Sequence, residues 1–273
     1  MQPTLQLDDG VAVPRLGFGT FRLEGDDAYR SVRTALEVGY RHLDTAQGYG
    51  NEAEVGRALA DSGVARDDVF VTTKIKPSLA APADVHRSTR QSLADLGTDH
   101  VDLLLLHWPA DHVAPLEDTL AAMDELRQEG LTRAIGVSNF PSAMLRRAYE
   151  LAPIVTDQVE HHPFLAVDPI EQVLHEHGGF LTAYSPLAKG EVVDDPTLRE
   201  IGAAHDATPA QVTLRWMLQR PAVVAIPKSG TDERIRANFD VFGFELSDDE
   251  MARITGLDRG HRLVDPDGSP TWD

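Results

Sequence analysis

The sequence predicts an α/β fold: a closed (β/α)8 TIM barrel with an N-terminal β-hairpin and an extra C-terminal helix. Three observations predict it. The chain has 273 residues, close to the roughly 250 that eight strand–helix units need. Short apolar runs alternate with longer amphipathic runs eight times along its length. No linker, low-complexity tract or composition shift interrupts them, so residues 1–273 are expected to form one domain.

The elements follow in order. Residues 5–13 alternate around an Asp9-Gly10 turn dipeptide and read as a hairpin that would close the bottom of the barrel. Strands are expected at 15–19, 42–45, 69–74, 101–107, 133–138, 155–159, 181–184 and 223–226. Helices are expected at 27–38, 52–61, 83–96, 116–129, 142–150, 169–177, 209–219 and 232–239. Asp168-Pro169 and Thr208-Pro209 pair a capping side chain with proline in the first turn. Gly39, Gly63 and Gly130 stand where a helix should stop. Ser247 caps a further helix, and residues 256–273 read as a loose tail.

Composition narrows the function. Forty-four acidic against 25 basic residues give a net charge of −19. Such a chain repels phosphate backbones and anionic lipid surfaces, which argues against nucleic-acid and membrane partners. No apolar run approaches the roughly 18 residues of a membrane span, and the N-terminus lacks the basic start and apolar stretch of a signal peptide. The absence of cysteine removes thiol nucleophiles and thiolate metal sites, and fits a reducing cytoplasm. Lys74, Lys76, Lys189 and Lys228 are the only lysines. An acidic, lysine-poor chain points either to salt adaptation or to a GC-rich genome.

In a barrel of this type the reacting groups stand at the C-terminal strand ends. There the sequence places Asp44, Tyr49, Lys74 and His107. Together they form equipment for moving one proton at a carbonyl or alcohol oxygen. A phenol near pKa 10 is a weak acid at neutral pH unless a cation stabilises its anion. A buried lysine keeps its charge only beside a carboxylate. A histidine can orient the substrate oxygen. Singly, Asp44 could be a cap, Tyr49 a packing aromatic and His107 a core histidine; Lys74 is costly to bury without a role.

A proton donor needs a hydride donor. Gly17 to Arg22 begins like a dinucleotide glycine fingerprint but lacks its third glycine, its helix and its acidic residue, so a Rossmann site is rejected. The better phosphate trap is Lys228-Ser229 leading into a helix that carries Arg234. A metal hydrolase is the rival suggested by Glu160-His161-His162 and His175-Glu176-His177. Neighbouring strand residues face opposite ways, however, and histidines two apart on a helix share no face. No metal is expected.

The motifs Gly17-Phe-Gly-Thr, His42-Leu-Asp-Thr-Ala, Tyr49-Gly-Asn-Glu, Thr73-Lys74, Leu106-His-Trp-Pro, Gly136-Val-Ser-Asn-Phe, Gln158-Val-Glu-His-His-Pro, Ala183-Tyr-Ser-Pro-Leu and Ile226-Pro-Lys-Ser stand in order along the chain. In them the chain resembles the aldo-keto reductases, nearest to the bacterial 2,5-diketo-gluconate and methylglyoxal reductase type. The resemblance implies reduction of a small carbonyl substrate with NADPH, with Asp44, Tyr49, Lys74 and His107 as catalytic residues. It further implies Ser138, Asn139 and Gln158 on the nicotinamide carboxamide, Tyr184 stacked on the ring, Gly19 and Thr20 lining the cleft, and Ser185 and Leu187 along the pyrophosphate. Lys228, Ser229 and Arg234 would hold the 2′-phosphate and Asn238 the adenine. Two departures, Ala237 near the adenine and Gly230 in the phosphate loop, imply a weaker grip on the cofactor.

Phe21 and Trp108 are the expected apolar walls of the substrate pocket. The short 110–115 loop and tail suggest an open one. A monomer is expected. Sugars, keto-acids, aldehydes and small diketones all remain candidate substrates. The alternative use of the same fold is a non-catalytic, cofactor-binding redox sensor that regulates a channel.

Overall fold

The structure is a computed structural model and describes residues 2–7 and 10–273. A hairpin of β1 (Thr4–Gln6) and β2 (Ala12–Pro14) comes first. The expected Asp9-Gly10 turn dipeptide includes Asp9, which with Asp8 lies outside the described residues. Then alternate β3 (Phe18–Gly19), α1 (Gly25–Val38), β4 (His42–Asp44), α2 (Glu52–Asp61), β5 (Phe70–Ile75), α3 (Pro82–Leu96), β6 (Val101–Leu106) and α4 (Leu116–Gln128). After them come β7 (Thr132–Ser138), α5 (Ser142–Leu151), β8 (Ile154–Glu160), α6 (Asp168–Glu176), β9 (Phe180–Tyr184), α7 (Pro196–Ala204), α8 (Pro209–Gln219), β10 (Val223–Ala225), α9 (Asp232–Phe239) and α10 (Asp248–Thr255).

Strands β3 to β10 pair in parallel in chain order. The sheet closes where Ala225 N–H donates to Arg15 O and Gly17 N–H to Ala225 O, at 2.9 and 2.8 Å. The expected first strand, 15–19, is regular only over Phe18–Gly19, because its earlier residues serve this closure.

Side chains alternate across each strand, and the alternation sorts the core into two layers. Leu104 and Leu106 pack outward against the helices; Leu103 and Leu105 pack inward with Phe70, Ala134, Phe180 and Val224. Leu5, Leu7 and Val11 of the hairpin region pack on this inner cluster and close the bottom. Gly56 lets α2 approach α3: a Cβ there would stand 2.3 Å from Leu96 O.

Helix ends follow local chemistry. Thr208 with Gln211, and Ser247 with Glu250, form reciprocal capping boxes, each worth about 1 kcal/mol. Asp168 does not cap as expected: it is already inside α6, the cap position is Val167, and no side chain bonds there. Helix α7 was not anticipated, although Asp195 caps it and Pro196 opens it.

Candidate active site

The same alternation gathers the site. On β5 the inward positions run Phe70, Thr72, Lys74; on β4 they run His42, Asp44; on β8, Thr156, Gln158, Glu160. Each series starts apolar or neutral at the bottom and ends polar at the top. Between the neighbouring strands β4 and β5, His42 Nε2 lies 3.1 Å from the Thr72 hydroxyl, and across the lumen Gln158 Nε2 donates to Asp44 Oδ2 at 2.8 Å. The rim is thus a ring of strand-terminal polar groups above a packed floor.

All four expected catalytic residues meet on this rim. Lys74 Nζ donates to Asp44 Oδ1 at 2.6 Å, to Thr45 O at 2.9 Å and to the Tyr49 hydroxyl at 3.2 Å. Tyr49 ends a one-turn 3-10 helix, Gln47–Tyr49, that swings it back over β5. The His107 ring lies edge-on to it, with centroids 5.5 Å apart. Asn51 locks the adjoining loops by donating to Thr20 O and Leu23 O while accepting from Thr45.

Burial sets the protonation states. It pushes the Tyr49 pKa up and outweighs the nearby Lys74, so the phenol holds its proton through neutral pH. The expectation that Lys74 brings this pKa below its ordinary value is therefore corrected: the ammonium only offsets the burial. Burial also pulls on Lys74, but Asp44 and Tyr49 together outweigh it and hold the amine charged. His107 is lowered to about 3 by burial and then by Lys74, so its imidazole is neutral.

Two valences stay open. Lys74 and Asp44 are fully engaged, yet among the described residues nothing accepts the Tyr49 proton and no hydrogen bond reaches the His107 ring. Both open groups belong to the same rim. The arrangement can therefore donate one proton, and one further hydrogen bond, to a single oxygen placed between them.

The expected cofactor residues surround this point. Gln158 uses only its Nε2 on Asp44, leaving Oε1 as an acceptor. Asn139, in the left-handed region at φ 64°, donates to His107 O and Ser138 Oγ and accepts from the Tyr184 hydroxyl at 2.8 Å. Ser185, Ala188 and Lys189 after β9 also have positive φ, at 49°, 46° and 53°. Strain of this kind concentrates at ligand sites; Leu187 lies within the same loop.

Opposite, Lys228 and Arg234 make no ion pair or hydrogen bond among the described residues, although this strongly acidic chain pairs most of its arginines. An unpaired lysine and arginine at the start of α9 fit a phosphate. Asp232 and Glu233 already occupy the first turn of that helix, so the pull on an anion comes from the two cations. Three residues are engaged by the protein itself. Thr20 is fully buried, with its hydroxyl on Asp44 O. Gly19 packs on Ile226 O. The Ser229 hydroxyl accepts from Thr231 N–H. Asn238, buried on α9, has no such partner.

Phe21 packs on Tyr49 at 5.0 Å and is 53% exposed; Trp108 follows His107. The expected loose tail is corrected, because it is tied to the barrel. Glu160 receives the Leu263 and Val264 amides, Asp273 the Ser142 amide, and Trp272 meets Trp108 at 6.3 Å. Trp272 and Arg262 are therefore rim residues that sequence reasoning missed. A lone tryptophan in a polar tail was the available signal. The histidines of the metal rival serve structure: His161 contacts Leu165 O and Arg220, and His177 stacks on Tyr149. Among the described residues no three potential metal-ligating side chains group together.

These features define a parallel barrel with a phenol, an ammonium, a carboxylate and an imidazole gathered on its rim. The sequence model of the Aldo/keto reductase family matches residues 15–259. An aldo-keto reductase of Mycolicibacterium vanbaalenii is 45% identical over 264 residues, spanning 96% of this chain and 94% of its own. One from Mycobacterium tuberculosis is 42% identical, spanning 96% and 93%. A structure provisionally assigned as a 2,5-diketo-D-gluconic acid reductase B superposes with a TM-score of 0.96 at 44% identity, covering 100% of this chain and 98% of that one. The Bombyx mori aldo-keto reductase in complex with NADP superposes at 0.89 with 33% identity, covering 97% and 95%. The chain belongs to the aldo/keto reductase family. No helix among the described residues is long and apolar enough to cross a membrane.

Proposed function

We propose that the chain reduces aldehydes and ketones to alcohols with NADPH, with Tyr49 as proton donor. The observation that carries this reading is the pair of open valences, the Tyr49 proton and the His107 ring, beside an otherwise saturated Lys74–Asp44 pair. When bound, the reduced nicotinamide supplies the hydride. The neutral His107 ring hydrogen-bonds the substrate oxygen and orients it. Tyr49 passes its proton to that oxygen as negative charge builds there. Lys74, held charged by Asp44, stabilises the phenolate left behind.

Ser138, Asn139 and Gln158 would hold the carboxamide, Tyr184 the ring, Ser185 and Leu187 the diphosphate, and Asn238 the adenine. Gly19 and Thr20 would back the cleft. The choice of NADPH over NADH rests on Lys228 and Arg234, with Ser229 shaping the loop between them. All these groups come from one chain, so a monomer suffices. The test is NADPH oxidation with methylglyoxal. Tyr49→Phe should lower kcat by about 10²–10⁴-fold while NADPH binding, followed by fluorescence, changes less than about twofold. A near-normal rate in that variant would sink the assignment.

A further inference from the structure

Tyr49 does not sit on a strand. It reaches the rim from a single 3-10 turn, Gln47–Tyr49, whose ends carry no side-chain cap. The turn's own hydrogen bond runs from Tyr49 N–H to Ala46 O at 2.9 Å. Gly48 and Gly50 flank Tyr49, and Gly50 is left-handed at φ 67°. One short turn between glycines fixes little by itself, because 3-10 hydrogen bonds are poorly aligned and glycine loses the most freedom on ordering. The reacting hydroxyl needs an anchor beyond its own contact with Lys74.

Gln47 supplies it. Its Oε1 accepts from Lys76 N–H at 3.1 Å, and its Nε2 donates to Ser92 Oγ on α3 at 3.2 Å. Ser92 is buried, and its hydroxyl lies 3.2 Å from Glu52 Oε2 and 3.1 Å from Ser88 O. Thr73 donates to the other Glu52 oxygen at 2.6 Å. Thr73 precedes Lys74 on β5 and faces the opposite side of the strand. Buried Glu52 pairs with no cation among the described residues; it receives these two hydroxyls instead. The chain Gln47–Ser92–Glu52–Thr73 thus ties the turn to the back of the strand that carries Lys74.

Among the described residues the Gln47 amide bonds to Lys76 and Ser92, and to neither Tyr49 nor Lys74. Its effect on the rim is therefore indirect. We propose that Gln47 is a positioning residue: it sets the Tyr49 turn so that the phenol stands on Lys74 and faces the substrate oxygen. This rests on the reductase reading above and adds a residue outside its reacting groups. Proton transfer to a bound substrate depends on placement, and an error of about 1 Å can cost roughly 10²-fold in rate.

The experiment follows NADPH oxidation with methylglyoxal in the wild type, Gln47→Met, Tyr49→Phe and the double variant. Gln47→Met keeps the side-chain length and removes both hydrogen bonds. It should lower kcat about tenfold, while KM for methylglyoxal and NADPH affinity, read by fluorescence, change less than about twofold. In the Tyr49→Phe background the same substitution should alter the residual kcat less than about twofold, because no phenol is left to place. Gln47→Glu, which keeps the acceptor for Lys76 N–H, should recover part of the loss. An equal loss in both backgrounds would overturn the proposal, since Gln47 would then act on the barrel at large. So would a kcat within about twofold of the wild type, or a loss confined to KM. If Gln47→Met fails to fold, Ser92→Ala removes the Nε2 partner and is read in the same cycle; about a threefold loss is expected, and none would overturn the proposal. A near-normal kcat in Tyr49→Phe alone would instead remove the reductase reading of Tyr49, and this proposal with it.

Discussion

Both ends of the barrel bury a carboxylate among cations, and the two clusters differ in what they leave open. At the N-terminal strand ends, Asp102 accepts from Arg66 at 2.9 Å and from Val71 N–H at 2.8 Å, and pairs with the Arg133 guanidinium at 3.2 Å. Both guanidinium groups reach partway to solvent. Every valence of that carboxylate serves to tie β5, β6 and β7 together. At the C-terminal ends, Asp44 and Lys74 are deeper and equally saturated, but the chain of contacts ends on Tyr49, whose proton points to no acceptor. A closed ion cluster holds strands; a cluster that ends on an open donor can act on a substrate.

Substitutions at the two ends should separate these roles. Lys74→Met should disable both functions: kcat falls by about 10³-fold, and the buried Asp44 left unpaired costs about 3–5 kcal/mol. Asp102→Ala should cost about 3 kcal/mol in urea unfolding with kcat at 25 °C unchanged. If Asp102→Ala lost activity as steeply as Lys74→Met, the distinction between the ends would collapse.

The cofactor end of the rim should respond less. Arg234→Ala should raise the KM for NADPH about tenfold, through loss of a charge-assisted contact worth about 1.5 kcal/mol, and leave NADH kinetics nearly level. A parallel rise for both cofactors would argue against 2′-phosphate recognition.

The pH profile sharpens the comparison further. With the Tyr49 pKa raised and that of His107 lowered to about 3, neither group titrates between about pH 6 and 9. The kcat for reduction should be level there and fall only on the alkaline side. Stability behaves differently. The folded pKa of His107 is depressed, so its contribution is complete above the ordinary histidine range near 6.5 and is lost as pH falls toward 3; buried His161, also lowered to about 3, adds to this. Melting temperature should fall across that acid window. A kcat step near pH 6.5 would contradict the neutral imidazole.

The smallest effect concerns Gly230. A Cβ there would meet only Leu23 Cδ2, at 3.4 Å, so Gly230→Ala should fit and stabilise by about 0.5 kcal/mol through the unfolded chain. Calorimetry reads this directly; a clear loss of stability would mean the loop needs glycine's backbone freedom.

Much of this was legible in advance. The bounds of α2, α8 and α9 match the amphipathic runs at 52–61, 209–219 and 232–239, because apolar periodicity and the Thr208 cap are local signals. The strand-end positions of Asp44, Lys74 and His107 were readable for the same reason. Helix α7 was overlooked despite its Asp195-Pro196 start, being a short run behind a strained loop. Asp168 imitates a cap in sequence, but the helix begins one residue early, at a position decided by packing rather than by the side chain.

The sequence alone determined which residue types end each strand, and therefore that an ammonium, a carboxylate and an imidazole share one rim; the two-residue period of a strand makes that a local property. Only the tertiary structure decided the balance of burial against charge on Tyr49, and the path of the tail that brings Arg262 and Trp272 to the pocket. Burial depends on what every other element covers. The tail's path depends on Glu160, about a hundred positions away, a contact that no local pattern encodes.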